Sequence, residues 1–122
     1  MGVAGSLALM CKTRSVLDDL MAVIEDRKAN PPPSSYTTKL FAGGVEAIGA
    51  KILEEAAEVV EAAGEPGDAG RVHLIAEAAD LLYHVCVMLG HKDVRFDDVE
   101  TELRKRFGVS GVDEKASRSQ QE

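Results

Sequence analysis

The 122-residue sequence predicts an all-α fold, a small bundle of four main helices completed by dimerisation. Apolar residues recur at helical spacing in four segments, and no run alternates with the period of two expected of a half-buried strand. Hydrophobic residues make up 45% of the chain and aromatics only 4%, so the core must come from Ala, Leu, Ile and Val, a composition that favours helix against helix.

The first helix is expected over residues 15–29, where Val16, Leu17, Leu20, Val23 and Ile24 form an apolar stripe. Asn30, Pro31, Pro32 and Pro33 end it, because proline lacks an amide donor and restricts the residue before it. A short piece over residues 34–41 follows, and Gly43 and Gly44 break the chain. The second long helix is expected over residues 45–63, with Ile48, Ile52, Ala56, Val59 and Val60 on one side and Gly64, Glu65, Pro66 and Gly67 as its stop. The third, over residues 72–89, is apolar almost all round from Leu81 to Leu89. Such a helix needs neighbours on every side, which one small chain can hardly supply, so a subunit interface is expected. The fourth, over residues 96–107, has Asp97 and Asp98 early and Arg104, Lys105 and Arg106 late, which suits the helix dipole. The chain divides into a leader at 1–13, one domain at 14–110 and a polar tail at 111–122.

The formal net charge of −7 argues against a general nucleic-acid binder, because phosphate backbones attract basic surfaces. The mildly apolar start lacks a basic flank and is too short to span a bilayer, so no membrane partner is expected. Cys11 and Cys86 form no CxxC pair, and a reducing cytoplasmic setting is the default.

The chemistry sits in two carboxylate clusters. Glu54, Glu55 and Glu58 fall within one third of the second helix's circumference, and Glu77 and Asp80 share a face of the third. Alanines separate the acids in both places and let the helices approach. Alone, the first cluster reads equally well as a solvated charged face. The second pair borders the most apolar stretch of the chain, where acids need partners. Four or five carboxylates meeting between helices require cations, and Mg2+ suits a phosphate substrate.

Arg27, Lys28, Ser35, Tyr36, Thr37, Lys39 and Lys51 could contact phosphates. Each has a plainer reading, such as an ion pair between Lys51 and Glu55, or dipole compensation by Arg27 and Lys28 at a helix end. His84 follows Asp80 by four residues and reads first as a core-edge histidine bonded to a carboxylate or carbonyl. No GxxxxGK[ST], no GxGxxG and no Ser-His-Asp or Cys-His framework is present, which leaves metal-driven attack by water as the available phosphoryl chemistry.

Ser35-Tyr36-Thr37, Lys51, Glu54-Glu55-Ala56-Ala57-Glu58 and Glu77-Ala78-Ala79-Asp80-Leu81-Leu82-Tyr83-His84 together resemble the phosphoribosyl-ATP pyrophosphatase family, as does the ending from Arg106-Phe107-Gly108 to Arg118. The two acidic motifs alone would place the chain only in the wider MazG-like all-α NTP pyrophosphatase superfamily. The resemblance implies hydrolysis of phosphoribosyl-ATP to phosphoribosyl-AMP and pyrophosphate, the second step of histidine biosynthesis. It implies Glu55, Glu58, Glu77 and Asp80 as magnesium ligands and Glu54 as a further ligand or the residue that orients water, so that Glu54, Glu55 and Glu58 carry catalysis. Arg27, Lys28, Ser35, Tyr36, Thr37, Lys51 and His84 are implied to bind substrate, some of them across a homodimer or higher homo-oligomer interface. A house-cleaning nucleotide pyrophosphatase and a non-catalytic helical module are the rival readings.

Overall fold

A computed structural model describes residues 15–107. The leader at 1–13, Cys11 and the tail from residue 108 lie outside the described residues. Among the described residues there are four helices: α1 (Val16–Ala29), α2 (Tyr36–Ala63), α3 (Gly67–His91) and α4 (Phe96–Phe107). No strand occurs among the described residues, in agreement with the all-α expectation.

Each boundary has a local cause. Ser15 caps α1 by accepting from the Asp18 amide at 3.4 Å, while the Asp18 carboxylate accepts from the Ser15 amide at 2.9 Å, a reciprocal capping box. Ser35 caps α2 by accepting from the Thr38 amide at 3.2 Å. The expected break at Gly43 and Gly44 is a kink, not an end. Gly44 stands at φ 67° and ψ −158°, a conformation open to glycine, and the helix resumes at once. The short piece carrying Tyr36 and Thr37 is therefore the first arm of α2. Helix α3 starts at Gly67, one turn earlier than its hydrophobic periodicity indicates, because its first turn (Gly67, Asp68, Ala69, Gly70) has no large apolar residue to mark it.

Helices α2 and α3 form a long antiparallel hairpin, and α1 packs across the second half of α3. The core joins Met21 and Ile24 of α1, Leu40 and Ile48 of α2, and Cys86 and Val87 of α3. Cys86 is a buried free thiol, as its apolar surroundings suggest, and burial pushes its pKa up. Helix α4 lies beside α1 and buries no residue fully.

Lys28 ties two helix ends together. Its ammonium donates to the carbonyls of Gly90 and His91 at 3.0 Å each and to the Asp93 carboxylate at 2.8 Å. The Gly90 carbonyl also accepts from the Asp93 amide at 3.1 Å, and the ammonium beside it opposes the negative pole of the helix. Replacing Lys28 with Met should lower stability by about 1–2 kcal/mol, the worth of charge-assisted hydrogen bonds at a partly exposed site, and leave turnover near wild type. Thermal unfolding beside a turnover assay checks both. A collapse of activity in a folded K28M would return Lys28 to the substrate site.

Candidate carboxylate centre between α2 and α3

The packing of α2 on α3, with half-buried Ala56 and Ala78 beside the acids, brings the two clusters together. Ligand-capable oxygens of Glu55, Glu77 and Asp80 all lie within 4.8 Å of one another. Glu55 and Glu77 are each only 7% exposed, whereas Asp80 is open to solvent. Glu58 completes the group through a hydrogen bond between its carboxyl and that of Glu77.

The electrostatics follow from this crowding. Two carboxyls can hydrogen-bond only if one keeps its proton. The bond to Glu58, reinforced by burial and by the charges of Glu58, Glu55 and Asp80, raises the Glu77 pKa from its ordinary value to about 7. Burial raises that of Glu55 too, with Asp80 and Glu58 adding repulsion. One oxygen of Glu55, Oε2, is buried without any hydrogen-bond partner. A buried carboxylate oxygen without a partner, beside other acids, is a group that a cation could satisfy.

The donor set fits magnesium. It is all oxygen, and Mg2+ draws its ligands to about 2.0–2.1 Å, so opposite ligand oxygens stand about 4.2 Å apart. A second acidic trio, Asp18, Asp97 and Glu100, has similar spacing. None of its members is buried, and Asp18 is already committed to the α1 cap.

Glu54 is exposed and paired with Lys51. It accepts from Lys51 at 2.8 Å, and that contact lowers the Glu54 pKa and raises that of Lys51. Lys51 also stands 4.0 Å from Glu55, so the ion pair expected from their spacing exists but is the looser of its two. A phosphate could compete for such an exposed ammonium.

The first arm of α2 brings Tyr36 and Thr37 to α3. The Tyr36 hydroxyl lies 2.7 Å from His84 Nε2, and His84 Nδ1 lies 2.8 Å from the Asp80 backbone carbonyl. A carbonyl only accepts, so Nδ1 carries the proton and Tyr36 donates to Nε2. His84 thus bonds the backbone of Asp80, not its side chain, as a core-edge histidine would. Thr37 and Tyr83 share a hydroxyl hydrogen bond, and the Tyr36 and Tyr83 rings lie nearly parallel with centroids 6.4 Å apart. The result is a polar and aromatic wall next to the carboxylates, with Tyr36 half exposed.

The remaining candidates are placed elsewhere. Ser35 is occupied by its cap. Lys28 sits at the far end of α3, ten residues beyond Asp80, or about 15 Å along the helix axis. Arg27, half-buried, precedes it at the same end of α1. One neighbour of the centre escapes a reading by motifs: His73, whose Nε2 stands 3.9 Å from Glu77 Oε2 and whose Nδ1 bonds Glu65. Its spacing of four before Glu77 is the one signal that could have found it.

The high Glu77 pKa carries a sign. In the unfolded chain Glu77 ionises near its ordinary value of 4.5, whereas in the metal-free fold it holds its proton until about pH 7. Between those values the folded state binds more protons, so stability falls as pH rises. Metal-free wild type should therefore lose thermal stability from pH 5 to pH 7.5 more steeply than Glu77→Gln, whose amide cannot ionise. Parallel melting curves for the two proteins would refute the shared proton.

An all-α hairpin that gathers carboxylates from two helices beside a hydroxyl and aromatic wall defines a helical domain with an acidic centre whose oxygens could hold a hard cation. Residues 17–107 match the family described as phosphoribosyl-ATP pyrophosphohydrolase. A phosphoribosyl-ATP pyrophosphatase of Rhodopirellula baltica is 54% identical over 84% of this chain and 85% of its own length. Those of Ruegeria pomeroyi and Geobacter sulfurreducens are 50% and 49% identical, over 85% and 86% of this chain and 96% and 94% of their own lengths. The chain belongs to the phosphoribosyl-ATP pyrophosphohydrolase family.

Proposed function

We propose that this chain hydrolyses phosphoribosyl-ATP to phosphoribosyl-AMP and pyrophosphate, the histidine-biosynthesis step after which its relatives are named, at a magnesium centre between α2 and α3. The observation that supports the magnesium reading is the buried, unpartnered Glu55 Oε2 in a group whose Glu77 carboxyl is held protonated by its bond to Glu58, by burial and by the neighbouring acids.

Glu55, Glu58, Glu77 and Asp80 would hold the ion. When bound, magnesium supplies positive charge to the triphosphate oxygens and acidity to water. The protein contributes placement. Glu54, exposed and kept ionised by Lys51, is suited to orient water or accept its proton. Lys51 exchanges its hold on Glu54 for a phosphate oxygen. Tyr36, Thr37, Tyr83 and His84 are locked to one another before substrate arrives, and this rigid wall lines the ribose and base side of the site.

We further propose that the working unit is at least a homodimer. The outer stripe of α3 is covered by α1 near Cys86 but continues uncovered as Leu82, Ala79, Ile75 and Val72, with Ile75 57% exposed and Leu82 46%. On α2, Leu53 and Val60 are each 74% exposed at a spacing of two helical turns. A second α2–α3 hairpin would cover both stripes in a four-helix arrangement. By length and hydropathy α3 also qualifies as a membrane span. Its buried face, however, holds Glu77 and His84, turned toward the acidic face of α2, which suits a water-soluble, cytoplasmic enzyme better than a lipid-embedded helix.

The test is pyrophosphate release with magnesium from phosphoribosyl-ATP, run beside ATP, dUTP and dCTP. Strong preference for phosphoribosyl-ATP is expected. Preference for the ordinary nucleotides would move the protein to the house-cleaning branch, and silence on all four would leave a helical module without this activity.

A further inference from the structure

We infer that His73, anchored by Glu65, is a positioning residue that holds Glu77 in register with Glu55 and Asp80. Glu65 belongs to the turn between α2 and α3, and its carboxylate accepts from His73 Nδ1 at 2.9 and 3.1 Å. The contact to both oxygens fixes the plane of the imidazole. The other ring nitrogen, Nε2, then stands 3.9 Å from Glu77 Oε2, a gap that a small change of rotamer closes.

The anchor is itself rigid. A Cβ built on Gly70 would fall 2.3 Å from the Glu65 carbonyl oxygen, so the turn backbone lies directly on the first turn of α3 because residue 70 has no side chain. Glu65 is thereby fixed relative to the helix that carries both His73 and Glu77. Glu77 leaves α3 four residues after His73, on the same helical face. Its carboxyl is bonded by Glu58, and its Oε2 stands 3.9 Å from His73 Nε2.

A ligating carboxylate needs a partner for the oxygen that does not face the ion, and such partners set metal affinity. His73 fills that place for Glu77. The inference rests on the reading of the centre as a cation site. It concerns this chain's own residues and does not require His73 to touch substrate.

The experiment is a magnesium titration of the full chain followed by thermal shift, in wild type, His73→Ala, His73→Gln and His73→Asn. Gln places an amide where Nε2 stands and keeps the Glu77 side of the arrangement, while Asn places one where Nδ1 stands and keeps the Glu65 side. The magnesium concentration giving half the maximal rise in Tm should increase by roughly tenfold in H73A and H73N, and stay near wild type in H73Q. At saturating magnesium, kcat of H73A should recover and KM for phosphoribosyl-ATP should be unchanged. If H73A and H73N titrate like wild type, His73 does not act on Glu77. If H73N is normal and H73Q is not, His73 only pins the turn. If wild type itself shows no magnesium-dependent rise, the cation reading falls and this inference falls with it.

Discussion

Asp80→Asn should abolish pyrophosphate release and yet leave the metal-free protein at least as stable as wild type. Asp80 is the exposed member of the carboxylate group and reaches it from α3, within 4.8 Å of Glu55 and Glu77. Its charge raises the pKa of both. With no cation bound, removing that charge relieves repulsion around two buried acids, so the fold gains. With a cation bound, the same substitution removes an anionic ligand. Losing about 4 kcal/mol of charge stabilisation corresponds to a rate loss of about a thousandfold, and magnesium should no longer raise Tm as it does in wild type. The opposite signs make the result diagnostic, because a variant that lost activity by unfolding would lose stability as well. Turnover at saturating magnesium and melting curves with and without the ion are the measurements. Near-normal turnover in D80N would remove Asp80 from the site.

The same acids explain how much of the molecule could be read in advance. Glu55, Glu58, Glu77 and Asp80 announce themselves because helical spacing is strictly periodic and charge beside an apolar run is conspicuous. The four helices and the break at Gly43 and Gly44 are local features for the same reason. What stayed hidden depends on contacts distant in the chain. Lys28 reads as a possible phosphate ligand until α1 is laid across α3, and only then do the carbonyls of Gly90 and His91 become its partners. His84 is adjacent in helical register to the Asp80 side chain, but the nearer acceptor is the backbone carbonyl, a choice set by rotamer and not by spacing. His73 is passed over because its anchor, Glu65, lies across a turn whose tightness depends on Gly70. The start of α3 at Gly67 is missed because glycine and alanine carry no amphipathic signal.

Ile75→Glu combined with Leu82→Glu should convert the protein from an oligomer to a monomer. Both side chains are about half exposed in the single chain and sit on the part of α3 that α1 fails to reach. Burying an apolar side chain of this size is worth about 1.5–3 kcal/mol when complete. These two are already partly covered, so about half of that remains to be gained from a partner. A two-fold interface counts every substitution twice. The pair of changes therefore withdraws roughly 3–6 kcal/mol of association energy, and four introduced carboxylates add a desolvation penalty on top. A dissociation constant weakened by at least a hundredfold to a thousandfold follows, which sedimentation at micromolar concentration resolves. Wild-type Tm should rise with protein concentration, and that of the double variant should not. The substitutions lie on the side of α3 facing away from Glu77, so the carboxylate centre of each chain keeps its ligands, and magnesium should still raise Tm in the monomer. Activity then separates two designs. Loss of turnover in a monomer that still binds magnesium means that the partner completes the substrate side of the site, whereas full turnover means that each hairpin works alone and the interface serves stability. A wild-type protein that sediments as a monomer at all concentrations would dismiss the interface itself and leave the apolar stripe of α3 without a function.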